Sequence, residues 1–373
     1  MKISINKNTF LFYIGVFLLI LSSTFIVNID NKLFFYTKVI AYVFFILNFF
    51  LEKKNIRNIL NLTIFFLVCL LAFYLNRNTD IITFALVGIS CVSVNFNKII
   101  IIQLFSKILG IFLTLISYAL GYSKDVIMMR ENGQIRHSMG FIHPNSFATH
   151  VAYASLMYFI IRKKKITQFE LFIISVLNVI VSQVTGTRTS LFVIILGVLL
   201  IIFSKLVNSN FFSIFDKINW FYLFGAISII FSIFYTQHSN LIYSIDALFS
   251  GRLRQASFFL YKYGLSIFGQ FIQTGQENTI GIENGRIYIL DNMYIKLVVQ
   301  YGCILTAYFI GYFNYLRKIF KYNFIIQICL LLLALYGVSE SSPIKVETNF
   351  FLFGIGNWVK CSVFTLREKK LDI

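Results

Sequence analysis

The sequence predicts an all-α polytopic membrane protein, with about 12 transmembrane helices, both termini cytoplasmic and one large extracytoplasmic loop. Three observations predict it. Of 373 residues, 58% are hydrophobic and only 13% are charged, roughly half the charged fraction of a soluble domain. Forty-four Phe stand against two Pro, and mean hydropathy is +0.78. Apolar runs of about 18 residues or more recur along the chain, each long enough to cross a bilayer as a helix.

These runs lie near 10–27, 33–51, 59–75, 80–95, 104–121, 145–161, 168–184, 188–204, 218–235, 291–313, 322–337 and 349–364. The stretch NKIIIIQLFSKILG (97–110) is either an interfacial lead-in or an earlier start of the fifth. Lys2 and Lys7 precede the first run as in a signal peptide. No small-residue cleavage site follows, so the run reads as an uncleaved span. Residues 1–373 form a single integral membrane domain on this reading. Segment 236–290, between the ninth and tenth spans, is the large outer loop, and long loops in compact bundles are usually functional.

Charge sets the orientation. With both termini inside, the runs EKKNIR, RKKK and LRKIFK fall on the inner face, together with Lys98 and Lys107. This is the positive-inside pattern. It accounts for the net charge of +18 without a nucleic-acid partner. Cys69, Cys91, Cys303, Cys329 and Cys361 fall within or beside apolar runs, without metal-ligand spacing. They read as small core residues, and no metal site is expected. The phosphate-loop, dinucleotide, zinc-protease and serine-hydrolase motifs do not occur. No internal repeat of the transporter kind is visible.

Polar chemistry gathers at outer helix ends. RHSMGFIHPNSFATH (136–150) holds three of the four His and one of the two Pro. Pro144 suits the first turn of the sixth span, and Asn145 or Ser146 can help cap it. His143 is then either part of a helix start or a site residue beside free N–H groups that attract anions. TGTRTSL (185–191) opens the eighth span, with Thr187 as a candidate cap. Arg188 falls in its first turn, where a cation opposes the helix dipole. It requires either a carboxylate partner or an anionic ligand.

The large loop contains LFSGRLRQASFFLYKYGLSIFGQ (248–270), patterned as an amphipathic surface helix. Its basic face meets lipid headgroups, or Arg252 and Arg254 grip phosphate oxygens through paired hydrogen bonds. YILDNMYIKLVVQYG (288–302) opens the tenth span. Asp291 is either its cap or a carboxylate kept ionised by nearby cations and able to act as a base. Glu340 and Glu347 lie in the last outer loop, SESSPIKVET, where either pairs with an arginine or binds sugar hydroxyls; Asp246, Glu277 and Glu283 are further carboxylates open to the outer arginines.

The order GFIHPN, TGTRTSL, SGRLRQ, DNMYIKLVVQYG, over roughly 130–310, resembles the Wzy-type polysaccharide repeat-unit polymerases of O-antigen and capsule assembly. That family shares a superfamily with the O-antigen ligases. The resemblance implies an inverting glycosyltransferase of the bacterial cytoplasmic membrane, with its active site on the extracytoplasmic face. It implies undecaprenyl-pyrophosphate-linked repeat units as donor and acceptor, in contact with membrane lipid, a chain-length regulator as a further partner, and no cofactor. It assigns Arg188 and Arg252 to the pyrophosphate, supported by Arg254 and Arg136. Asp291 or His143 would take the base role, and Asn145, Asn292 and Tyr294 would line the substrate. The ligases carry a His-Asn pair where this chain has Asp291-Asn292, a departure that leaves the base open. A ligase is the nearest rival; a flippase of lipid-linked repeat units is the next, though it would carry charges deeper in its spans.

The orientation predicts that alkaline phosphatase fused within 236–290 is active in whole cells. Fusion after the RKKK run is expected to be inactive, and the reverse pattern would invert the topology.

Overall fold

The computed structural model describes residues 9–25, 31–52, 54–91, 95–130, 133–206, 215, 217–235, 244, 246, 251–273, 279–283 and 286–362. Glu277 and the basic residues Lys2, Lys7, Lys53, Arg367, Lys369 and Lys370 lie outside this set, as do both ends of the chain. Helix dominates the described residues. Among the described residues five helices are long and apolar enough to cross a membrane: Phe34–Leu51, Ile56–Asn76, Phe96–Ala119, Gln168–Thr185 and Thr189–Leu206. Four shorter apolar helices join them, Phe10–Thr24, Thr79–Ser90, Trp220–Phe234 and Phe324–Ser339. Many large apolar side chains on the long helices are exposed, among them Phe35, Phe50, Phe105, Phe172 and Phe192. Lipid-facing surface has this composition.

In chain order the helices are α1 (Phe10–Thr24), α2 (Asn31–Leu51), α3 (Ile56–Asn76), α4 (Thr79–Ser90), α5 (Phe96–Ala119), α6 (Pro144–Arg162), α7 (Gln168–Thr185), α8 (Thr189–Leu206) and α9 (Trp220–Phe234). They continue with α10 (Arg252–Tyr263), α11 (Met293–Lys296), α12 (Cys303–Ile319), α13 (Phe324–Ser339) and α14 (Ile355–Ser362). Two short antiparallel hairpins, absent from an all-α expectation, sit in the loops. They are β1 (Ile127–Met129) with β2 (Ile135–His137), and β3 (Thr279–Glu283) with β4 (Arg286–Leu290). The chain divides into two compact units, one of 1–63, 86–208 and 346–373, the other of 64–85 and 209–345.

In the first unit α1 packs on α2 and α5, α5 on α6, and α6 on α7 and α8. Helix α6 is the inner member, buried along most of its length. Its Ala148, Ala152 and Ser155 are small and let neighbours approach, as in membrane helix pairs. Asn178 of α7 donates to Ser155 Oγ at 3.0 Å. The lead-in 97–110 does not lie apart: α5 runs unbroken from Phe96, capped by Asn95, whose side chain accepts from the Lys98 N–H. Lys107 therefore sits at mid-helix and fully buried, not among inner-loop cations. Its ammonium lies 3.1 Å from His150 Nδ1 and donates to the Glu347 carbonyl at 3.2 Å. The Glu347 carboxylate in turn pairs with Lys38 at 2.8 Å.

In the second unit α13 is the inner helix, with nearly every residue buried. It packs on α9, α11 and α12. The tenth predicted span, 291–313, is not one helix. It consists of α11, a π turn at Leu297–Tyr301 and then α12. Gly302 breaks it at φ 94°. The incoming segment 266–270 crosses so close that a Cβ on Gly302 would lie 2.3 Å from Gly269 N. That segment satisfies the start of α12, since the Cys303 and Ile304 N–H groups donate to Ser266 O and Ile267 O at 2.7 and 3.1 Å. Cys303 itself is exposed, unlike the buried Cys69, Cys91 and Cys329. The twelfth predicted span also opens irregularly, as a 3-10 turn over Phe350–Gly354 before α14. A buried 3-10 turn is acceptable in an apolar layer where protein surrounds it.

Gly302→Ala combines a left-handed φ with a backbone clash. Its thermal midpoint in detergent is expected to fall further than that of Gly121→Ala, which has φ 78° but open space around it. Positive φ is common to both glycines, so equal losses would remove the crossing segment from the explanation.

Candidate functional site

In the second unit, α10 begins with Arg252 just after Gly251. The Asp246 carboxylate caps this helix, accepting from the Leu253 and Arg254 N–H groups at 2.8 and 3.2 Å. Asp246 is thus committed to the backbone. Arg252 turns instead to Glu340, at the end of α13, with Nη2–Oε1 at 2.8 Å, and approaches Asp291 Oδ2 at 3.9 Å. All three side chains are about one-sixth exposed or less. Arg252 Nη1 is buried and has no hydrogen-bond partner among the described residues. Burial disfavours the guanidinium charge, but the Glu340 and Asp291 carboxylates outweigh it and hold the Arg252 pKa above its ordinary value.

Asp291 does not cap α11. Asn292 does, its Oδ1 accepting from the Tyr294 and Ile295 N–H groups at 3.0 and 3.1 Å. Its amide also donates to Val338 O at 2.8 Å. Tyr294 is almost fully buried, and its hydroxyl donates to Ala334 O at 2.8 Å. The structure thus places Asn292 and Tyr294 inside the fold, where they tie α11 to α13 and fix the position of Asp291. Arg254 is exposed and does not join Arg252. Lys296, at the end of α11, is a buried cation that a helix-start pattern gives no reason to single out.

In the first unit, His143 is itself the N-cap of α6, with Nδ1 accepting from the Asn145 N–H at 3.0 Å and Pro144 following in the first turn. Asn145 Oδ1 accepts from Arg136 Nη2. Arg136 Nε donates to Thr185 O at 2.7 Å, at the C-terminal end of α7. A cation there complements the helix dipole. Gly186 ends α7 at φ 62°, and a Cβ on it would meet Arg136 Cγ at 2.8 Å. Arg136 and Asn145, both predicted site residues, are thus joined, and they clasp the start of α6 to the end of α7. Arg188 lies just before α8, its carbonyl accepting from the Phe192 N–H. Thr187 sits one residue earlier and accepts from Ser190 Oγ at 3.2 Å. The Arg188 side chain is exposed and has no partner among the described residues.

The loop leading to α6 is held by Asp125. Its carboxylate accepts from the Ser138 and Met139 N–H groups at 2.8 and 3.0 Å and lies 2.6 Å from His137 Nδ1. Burial alone would raise the Asp125 pKa, but His137 and the two backbone donors outweigh it and leave it below the ordinary value.

No protein-family model, curated protein or solved structure matches the chain.

A depressed carboxylate pKa stabilises the fold above its ordinary pKa, and the contribution disappears as pH falls through the folded value. Asp125→Asn is therefore expected to lower the thermal midpoint at neutral pH, by an amount equivalent to about 1–3 kcal/mol. Wild type and variant should converge on acidification below the ordinary carboxylate range. A pH-independent difference would exclude the ionised carboxylate as the clamp.

Proposed function

We propose that this chain polymerises undecaprenyl-pyrophosphate-linked oligosaccharide repeat units at the outer face of the bacterial cytoplasmic membrane. In this reading it is a twelve-span protein with both termini cytoplasmic. The Arg252–Asp291–Glu340 cluster is the observation that carries the reading. A polymerase of this kind needs a cation for a leaving pyrophosphate and a carboxylate beside it. Arg252 supplies the first, with Nη1 uncommitted. Asp291 supplies the second, relieved of capping by Asn292. Arg188, exposed at the start of α8, is assigned to the same anionic class of ligand. His143 remains the alternative base, and its lone pair on Nδ1 is engaged in the α6 cap.

In the reaction, a hydroxyl at the non-reducing end of one lipid-linked unit attacks the anomeric carbon of the growing glycan. The new glycosidic C–O bond forms as the bond to pyrophosphate breaks, with inversion. Asp291 accepts the hydroxyl proton. Arg252 compensates the charge that develops on the leaving undecaprenyl pyrophosphate, which is where preorganised donors act most strongly. Glu340 holds the guanidinium in place until that charge appears.

The test is deletion of the gene, complementation with wild type, Arg252→Ala or Asp291→Asn, and sizing of lipid-linked and surface glycans on a gel. Wild type should give a ladder. Arg252→Ala should lose about 100–1,000-fold in polymerisation, as removal of one donor to a developing oxyanion does, leaving single repeat units exposed outside. Build-up of long lipid-linked polymer on deletion would identify a ligase instead. Units trapped on the inner leaflet would identify a flippase.

A further inference from the structure

Arg252 and Arg254 are two residues apart on α10, so the helix turns them to different sides. Arg252 faces Glu340 and Asp291. Arg254 opens a second row, because residues four apart share a helix face, and here they are Arg254, Phe258 and Lys262. This row lies on the β3–β4 hairpin. Phe258 stacks on Tyr288 of β4, with ring centroids 3.9 Å apart and planes 9° from parallel. Gly281 stands opposite Tyr288 in the register, and a Cβ on it would meet Phe258 Cε1 at 2.4 Å. Bare backbone at 281 is thus what lets the helix lie down on the strands. Lys262 closes the far end, donating to Ile282 O at 3.0 Å with its ammonium 5.0 Å from the Phe258 ring. Beneath the row, Ala256, Phe259, Ile272, Leu290, Ile295 and Val299 form one buried apolar cluster that fixes helix and hairpin together.

Arg286 and Tyr288 are two apart on β4 and so share a strand face. With Arg254, Gln255 and Ile287 they line a pocket of about 320 Å3. Both arginines are exposed, and neither has a side-chain partner among the described residues. Glu283 stands opposite Arg286 in the register but forms no ion pair with it among the described residues. Two guanidiniums converging on one pocket match a carboxylate, which each can hold through paired hydrogen bonds. The Gln255 amide suits hydroxyl groups, and the Tyr288 ring offers an apolar edge to a sugar ring.

We propose that this pocket binds a carboxylate-bearing sugar, distinct from the anion held at Arg252. The assignment of that sugar to the growing glycan rests on the polymerisation reading; the pocket's preference does not. The GRLR sequence then serves two sites at once, one arginine for the reacting end and one for an acidic residue of the glycan.

Full-length protein in nanodiscs of phosphatidylcholine is titrated with trigalacturonate and with maltotriose. Trigalacturonate is expected to bind at least about 10-fold more tightly, the effect of losing roughly 1.4 kcal/mol. Arg254→Gln with Arg286→Gln should remove this preference, whereas Arg254→Lys with Arg286→Lys should keep part of it. Lys164→Gln, an exposed charge far along the chain, should leave it unchanged. Equal binding of the two sugars, or full selectivity in the double Gln variant, overturns the proposal. So does loss of trigalacturonate binding in phosphatidylglycerol nanodiscs, if the same Gln variants also bind phosphatidylglycerol vesicles less; the pocket would then hold lipid headgroups. None of these outcomes touches the glycan ladder, which tests polymerisation separately.

Discussion

A helix that stops inside an apolar layer leaves backbone N–H and C=O groups that only the protein can satisfy. The fold is organised around the places where this chain stops its helices. His143, Asn292 and Asn349 each turn a side chain back onto the N–H groups of the turn they open. At the start of α12 no side chain is available, because Gly302 precedes it, and the carbonyls of Ser266 and Ile267 take over. Thr185 O, at the end of α7, receives Arg136. The polar residues of the candidate sites are found beside these stops. An interruption is where the chain has polar backbone to spare and where a charged side chain meets partners in place of lipid.

This explains what the sequence made legible. Long runs of Phe, Leu and Ile announce helices through hydropathy alone, and most of α1–α9 and α13 fall on the expected segments. Pro144 at the first turn of α6 and the amphipathic α10 follow from local rules as well. The tenth and twelfth segments were equally apolar, and hydropathy carries no information about Gly302 or the 3-10 turn at 350–354. Those breaks depend on segments such as 266–270 that come close only in the folded chain.

The site residues divide in the same way. That Arg252 and Asp291 belong together was readable from chemistry, although the capping role passes to the neighbouring Asn292. Glu340 was one of several carboxylates open to the outer arginines, and the sequence could not single it out for Arg252, since the two are 88 residues apart. Asn292 and Tyr294 have the polar groups of ligand-binding residues, yet Val338 and Ala334 carbonyls occupy them. The hairpins were hidden because strands of three to five residues are too short for an alternating pattern to rise above a loop. Without them, Arg286 had no reason to be set beside Arg254.

Lys107 has a consequence for how the polypeptide is made. A lysine near the centre of an isolated membrane helix disfavours its partition into lipid by about 2.5–3.5 kcal/mol. The His150 ring that faces Lys107 lies on the next helix, and the Glu347 carbonyl is synthesised almost two hundred residues later still. Helix α5 is thus made before either of these partners of Lys107 exists. Its ammonium can be shielded at once only if α6 emerges beside it, so the two helices are best inserted as a hairpin. The contact with the Glu347 carbonyl forms only after the intervening helices have been made.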